Sequence, residues 1–457
     1  MIGSVRRRLS SPHSYHGRIA RGALLIGLLT LLAKIFVAGR EIAIAWRFGV
    51  SGTADAYALA LTATTWLPTL IAGVMAVVLV PRLVGVTRSG DRRTGFIAEL
   101  NGSVLALGFA IAVLTWLAAP AASMLLASRT EPRTLELSAW MSARMAPIAL
   151  LMIVSAYFST RLQAREAYGF SVTEAVPALV IALFVISPGL LPGPQSLTAG
   201  TILGYLLQAI VLAAMVRSGD PPLGPARLRH RSGEWRSLYG SILLMMAGQL
   251  LITASLPIDQ AFAAPIGEGA VATLAYANRI LTLFSGFGTI VVGRALLPVL
   301  SERVADEDLS LGRRHAAQWS ALLFSAATLG SMFLWIAAPG LVRLLFERGA
   351  FNSAASAEIA GTLRAGLLQL PPYFAGIALV QWYAATARFR AMLAVTACAL
   401  LVKVALNVWL VPLFGLSGIM AATAGMYAVT AVLLAIGMGA GPPGFCFRIA
   451  AIKPERL

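Results

Sequence analysis

The sequence predicts an all-α polytopic membrane protein of about twelve transmembrane helices, arranged as two pseudosymmetric six-helix lobes around a central cavity. Three observations carry this. Of 457 residues, 58% are hydrophobic and only 12% charged, with a mean hydropathy of +0.80, whereas a soluble globular chain is about 25% charged. The apolar residues gather into twelve segments punctuated by Gly, Pro and charge. The last six segments echo the first six. Soluble enzymes, disulfide scaffolds and disordered chains are excluded together.

The segments lie near 22–46, 55–80, 97–127, 137–160, 167–188 and 197–216, then near 237–263, 269–301, 315–346, 355–386, 391–413 and 417–440. Each is long enough to cross a bilayer, which takes about 20 residues of helix. A β-barrel is excluded because barrel strands alternate polar and apolar over about ten residues. The first 21 residues, with Arg6, Arg7, Arg8, Arg18 and Arg21, precede an apolar stretch with no A-x-A-like site at its end. That stretch is read as a retained first span.

Net charge is +17, from 36 Lys+Arg against 19 Asp+Glu. In a soluble chain this would suggest nucleic acid; between spans it marks cytoplasmic loops, and no nucleic-acid partner is expected. With the N-terminus inside, inner segments hold 24 Lys+Arg, and outer loops hold five: Arg47, Arg129, Arg133, Arg343 and Arg348. Both termini are therefore predicted to be cytoplasmic. Cys398 and Cys446 imply no disulfide framework.

The repeat is visible in ordered matches. Trp116-Leu117-Ala118-Ala119-Pro120 reappears as Trp335-Ile336-Ala337-Ala338-Pro339, at an offset of 219. Gly52 and Pro81 recur as Gly269 and Pro298 at offset 217, and Ala164-Arg165 as Ala387-Arg388 at 223. Six is even, so both halves enter the membrane in the same sense, a parallel repeat about the membrane normal. The division is an N-terminal lobe over 1–217, a basic linker over 218–236, and a C-terminal lobe with a short tail over 237–457. The linker, where Pro221, Pro222 and Pro225 precede Arg227, Arg229, Arg231 and Arg236, reads equally as a solvated connection or a basic helix on the anionic inner leaflet.

Ionisable residues inside a membrane are costly and face a cavity or a partner. The first span carries Lys34, Arg40 and Glu41, and Asp55 opens the second. The second half supplies Asp259 and Arg279, with Arg144, Arg294, Arg364 and Lys403 as further cationic positions. The sum is cationic. Lys34, Arg40 and Arg279 suit a water-filled cavity for a phosphate or pyrophosphate, which Arg grips bidentately; the alternative is structural pairing with Glu41, Asp55 or Asp259, or snorkelling. Pro68, Pro147, Pro177, Pro257, Pro371 and Pro372 lie within spans, where each removes a backbone hydrogen bond and permits a bend.

Enzymatic signals are weak. His13, His16, His230 and His315 lack metal-ligand spacing, and no P-loop or nucleophile elbow occurs. No cofactor is expected, and movement would draw on a coupling ion or the substrate's own gradient.

The segments AKIFVAGREIAIAWRFGVSGTADAYALAL…VLVPRL (33–83) and DQAFAAPIGEGAVATLAYANRILTLFSGFGTIVVGRALLPVLS (259–301) resemble the MurJ/MviN family of lipid II flippases, of the MOP flippase superfamily. The resemblance continues in LLFERGAFNSAASA (344–357) and KVALNVWLVPLFGLSGIMAAT (403–423). It implies two lobes around a cationic cavity in a bacterial inner membrane, moving an undecaprenyl-pyrophosphate-linked glycan from inner to outer leaflet by alternating access. By motif, Arg40 falls on the family's essential first-helix Arg and Lys34 on a basic position before it. Asp55 falls on its Asp after the first outer loop, and Arg279 on its eighth-helix Arg. Glu41, Arg144, Asp259 and Arg364 are additional candidate cavity charges. Implied partners are the lipid-linked glycan, membrane lipids, and cell-wall or polysaccharide synthesis proteins. Pro68 and Thr69 stand where the family has an Arg pair, and Gly73 where it has a Glu. The chain reads as a twelve-helix member, without the two further C-terminal helices usual in the family.

Other readings stay open. One is a flippase for an exopolysaccharide or O-antigen-type repeat unit. Another is a cation-coupled drug exporter of the superfamily, with Glu174 or Asp259 binding H⁺ or Na⁺. A membrane-embedded glycan-processing enzyme or a scaffold would want a sizeable acidic outer loop, and the outer loops are short.

The basic-residue asymmetry gives a direct test of orientation. In intact cells, a cysteine placed at Ser232 is expected to resist a membrane-impermeant thiol reagent, and one at Gln195 to react. Labelling at 232 and not at 195 overturns the topology.

Overall fold

The computed structural model describes residues 29, 32–87, 91–126, 131–165, 167–187, 189, 191–218, 226–228, 234–305, 309–347, 349–350, 353–386 and 388–438. The basic N-terminus, most of the linker, and the tail with Cys446 lie outside them. Among the described residues there is no strand.

Helix α1 covers 32–48. It is followed by α2 (Gly52–Thr87), α3 (Asp91–Leu126), α4 (Pro132–Met145), α5 (Pro147–Ala164), α6 (Ala175–Ile186) and α7 (Gly193–Arg217). The second half holds α8 (Glu234–Thr253), α9 (Ser255–Ala263), α10 (Ala270–Ala305) and α11 (Leu309–Phe346). It ends with α12 (Ser353–Leu367), α13 (Leu370–Ala385), α14 (Phe389–Phe414) and α15 (Leu416–Gly437). Among the described residues, eight helical stretches are long and apolar enough to span a membrane, or nine if α4 and α5, bent by 48°, count as one span. The apolar segments at 137–160, 237–263 and 355–386 thus resolve as paired helices: α4–α5, α8–α9 and α12–α13.

Each break follows from local chemistry. Pro147 opens α5 and Pro371 sits in the first turn of α13; Pro257 lies one turn after the break at Ala254. A proline denies its N–H to the carbonyl four residues earlier, and in hydrocarbon that oxygen must find another donor. Three are found. Trp66 Nε1 donates to Thr253 O, four before Pro257, at 3.1 Å. Arg364 Nε donates to Trp335 O, four before Pro339, at 3.0 Å. Ser331 Oγ donates to Leu367 O, four before Pro371, at 3.2 Å. Each of these three carbonyls is met by a side chain of a neighbouring helix.

The packing is inverted relative to a soluble protein. α11 shows Leu329, Phe333 and Ile336 outward, and α14 and α15 show Leu401, Trp409 and Ile436, a surface suited to lipid. Buried residues form separate clusters. One, from α2, α3 and α5, includes Leu70, Val78, Phe96 and Tyr157; another, in the second half, includes Leu300, Ala378, Trp382 and Leu434. The largest joins the halves: Ala45, Ala54 and Leu59 pack with Leu274, Tyr276, Val342, Ile359 and Met420. The linker is non-helical over 226–228 and enters α8 at 234–236. It is tied to α3, where Arg227 N donates to Ala98 O at 2.9 Å and Trp235 Nε1 to Glu99 Oε2 at 2.8 Å.

The capped carbonyls make a measurable claim. Trp66→Phe leaves the half-buried Thr253 O without its donor, and an acceptor left unsatisfied away from water is destabilising, so the Tm of the purified protein is expected to fall. In a Pro257→Ala background, where residue 257 regains its N–H, the same change should cost much less. Equal losses in both backgrounds refute the account.

Candidate functional site

Helix α1 carries Arg40 and Glu41 into the interior, and both are buried. Glu41 Oε1 accepts from Arg40 and, at 2.8 Å, from Nη2 of Arg279 on α10. One carboxylate therefore bridges two guanidiniums from opposite halves of the chain. The Nε–H groups of Arg40 and Arg279 are buried without a partner. The cluster carries two positive charges and one negative, with donors to spare. Beside it lies a cavity of about 210 Å³, lined among others by Glu41, Tyr57, Thr62, Gln260, Asn278 and Arg279. Tyr57 shares a hydrogen bond with Thr201 at 3.0 Å. Such a site can exchange the Glu41 carboxylate for a more highly charged anion, because guanidinium–oxyanion pairs are strongest where water is excluded.

One end of the bundle is held together by a reciprocal exchange. Asp55, in the first turn of α2, accepts from Gly269 N at 2.6 Å and Ala272 N at 2.7 Å, at the start of α10. In return, Glu268 Oε1 accepts from Gly52 N at 2.8 Å, at the start of α2. Each carboxylate meets the unpaired amides and positive dipole end of the partner helix. Gly269 needs its positive φ, and Gly52 leaves room for the close approach. A Cβ on Gly269 (φ +82°) would stand 2.1 Å from Val50 Cγ1, and one on Gly52 2.6 Å from Thr134 Oγ1. Tyr276 Oη donates to Gly49 O at 3.1 Å, and Ala350 N to Trp46 O at 2.9 Å, extending the seal.

Of the residues singled out from sequence, Arg40, Glu41 and Arg279 come together. Lys34 is half-buried on α1 and outside the bridged cluster. Asp55 has both oxygens engaged in the seal, so in this state it faces no cargo. Arg144 stacks on Trp140 at 4.1 Å and Arg364 on Trp335 at 4.4 Å; neither lines the cavity. Asp259 pairs with Lys403 at 2.9 Å, away from the arginine cluster. The side chain of Arg294 lies outside the described residues. Glu268 was not among the candidates, and only its place beside Gly269, the repeat partner of Gly52, pointed to it. Where an Arg pair was looked for, Pro68 is buried and Thr69 exposed; at Gly73 the space a Cβ would enter is taken by Gln249.

The family model for the lipid II flippase MurJ matches residues 44–448. The chain belongs to the MurJ family. A probable lipid II flippase MurJ from Synechocystis sp. is 29% identical over 381 residues, covering 78% of this chain and 69% of the relative. Among solved structures, a lipid II flippase MurJ in an inward closed conformation superposes with TM-score 0.78 at 18% identity, covering 91% of this chain and 87% of that one. An inward-facing multidrug resistance MATE transporter of the MOP superfamily gives 0.74 at 14% identity, covering 92% and 97%. At these identities the structural likeness establishes the fold, a polytopic helical one common to MurJ and MATE proteins.

The reciprocal seal predicts its own failure. In a chain lacking Cys398 and Cys446, a cysteine at Asn278 reports access to the cavity. Asp55→Ala removes two of the three cross-caps, so labelling from the outer side by an impermeant thiol reagent is expected to rise several-fold. Unchanged labelling would show that the seal does not depend on Asp55.

Proposed function

We propose that this MurJ-family chain is a lipid II flippase of the bacterial inner membrane, carrying an undecaprenyl-pyrophosphate-linked glycan from inner to outer leaflet by alternating access. Family membership over most of the chain supports the cargo class. The single observation that carries the mechanism is the Glu41 bridge between Arg40 and Arg279. In this reading the pyrophosphate displaces Glu41 and takes both guanidiniums, so cargo binding joins the two halves through their cations. The free Nε–H donors supply the second tooth of each fork. Lys34 meets the cargo nearer the inner side, and both termini are cytoplasmic.

A second reading, a carrier of an uncharged glycan, draws on the absence of cations at Pro68 and Thr69. Lipid II has an ionisable peptide as well as a pyrophosphate, and these positions offer it no charge.

Complementation in a strain depleted of its own lipid II flippase tests both. The wild-type chain is expected to restore growth. Arg40→Ala and Arg279→Ala should each abolish it at unchanged membrane abundance, and Arg→Lys should restore it only partly, since a point charge does not replace a bidentate fork. Growth of the double Ala variant sinks the cationic-grip mechanism. Rescue only after Pro68→Arg with Thr69→Arg favours the uncharged-glycan reading.

A further inference from the structure

The least expected feature of the second half is a lysine with no exposed surface. Lys403, on α14, is 0% exposed, and so is Asn407 one turn later on the same face. Lys403 Nζ lies 2.9 Å from both oxygens of Asp259. It also donates to Ser255 Oγ and approaches Ser255 O at 3.5 Å. Ser255 is the first residue after the α8–α9 break. The ammonium thus sits among two carboxylate oxygens, a hydroxyl and a carbonyl, gathered where a helix is interrupted. Asn407, also fully buried, reaches Asp259 with its side-chain amide. Tyr427 of α15 stands near Asp259, in edge contact with Tyr373 of α13 at 5.0 Å.

Stability does not account for this arrangement. A buried ion pair seldom outperforms apolar side chains of the same volume. The donor set has another reading. Hard oxygens from a carboxylate, a hydroxyl and a carbonyl at a helix break are what transporters use to hold a monovalent metal ion. Here the centre is taken by a cation of the same charge on a four-carbon tether.

We propose that Lys403 is a built-in cation filling an alkali-ion-type oxygen site made by Asp259, Ser255 and Asn407, so that this site binds no exchangeable Na⁺. The chain carries its counter-charge with it. The helix break at Ala254 is held to α14 by a covalently attached cation, and the conformational cycle gains nothing from Na⁺ at this place. The inference is independent of which lipid is carried.

The test uses the full-length chain purified in detergent, with unfolding followed at constant ionic strength in NaCl, KCl or choline chloride. Wild-type Tm is expected to be the same in all three. Lys403→Gln removes the tethered charge and leaves the oxygens, so its Tm should rise with the logarithm of Na⁺ concentration above the Kd and not with choline. Adding Asp259→Asn to Lys403→Gln should abolish that rise. A Na⁺-selective rise in the wild type, or a folded Lys403→Gln variant blind to Na⁺, overturns the proposal. If Lys403→Gln does not fold in any buffer, the wild-type titration decides alone: Na⁺-selective stabilisation lost in Asp259→Asn overturns the proposal, and its absence upholds it.

Discussion

The two halves of this protein hold one another by exchanging helix caps. The first amides of a helix have no partner inside it, and near a membrane they cannot simply be left to hydrocarbon. Asp55 of α2 takes two amides at the start of α10, and Glu268 takes one at the start of α2. Everything else at this end is fitted around that approach, including Gly52 and Gly269, whose missing Cβ atoms make room for it. Charge-assisted bonds contribute about 1.5–3 kcal/mol each, net of exchange with water. These three lie at the end of the bundle, so parting them costs a few kcal/mol and leaves no buried group unpaired. This is a latch, not a weld.

The prolines work on the same rule from the other direction. Each one inside a span orphans a carbonyl, and the oxygens before Pro257, Pro339 and Pro371 are met by Trp66, Arg364 and Ser331. Each such carbonyl is satisfied by a contact from another helix, so moving that helix leaves it to find another donor. Trp66 is the instructive case, because it comes from the first half and caps a carbonyl of the second. The repeat sets the skeleton and then departs from it in chemistry. Trp116 and Pro120 echo Trp335 and Pro339, while Asp55 and Ala272, equivalent at the same offset as Gly52 and Gly269, share no side-chain chemistry.

This division explains what was legible in the sequence. Spans were readable because bilayer thickness imposes their length and composition, and the halves because Gly52 and Gly269 recur at a constant offset. Arg40, Glu41 and Arg279 stood out as charges that hydrocarbon would not tolerate without a reason. Their arrangement was hidden, since Glu41 and Arg279 are 238 residues apart and periodicity says nothing about contacts between spans. Asp55 was legible as a polar intrusion but not as a cap, because its partners are backbone amides that leave no residue-type signature. Arg144 shows the opposite failure. Trp140 four residues earlier was a visible sign of stacking on the same helix face, and the charge drew attention instead. The breaks in α8–α9 and α12–α13 were half legible: the prolines marked where bending was permitted, and only packing decides where it occurs.

Charge arithmetic connects the two buried clusters. Lys403 and Asp259 sum to zero, and Arg40, Glu41 and Arg279 sum to one positive charge. Neither total changes unless something binds or leaves. A pyrophosphate diester brings about two negative charges, so it over-compensates the arginine cluster only while Glu41 remains between the guanidiniums; once Glu41 withdraws, two cations face two anionic charges. A loaded site that is near neutral crosses the low-dielectric interior at far lower cost than a charged one. The same balance bears on the driving force. If the second half holds its cation by a covalent tether, no Na⁺ enters or leaves there, and the charge that moves is the cargo's own. Across an inside-negative membrane, each negative charge carried outward releases about 2.3 kcal/mol per 100 mV. An anionic lipid-linked glycan moving from inner to outer leaflet travels down that field, and on the proposed reading, in which two arginines grip it and no Na⁺ moves with it, that gain is left undivided.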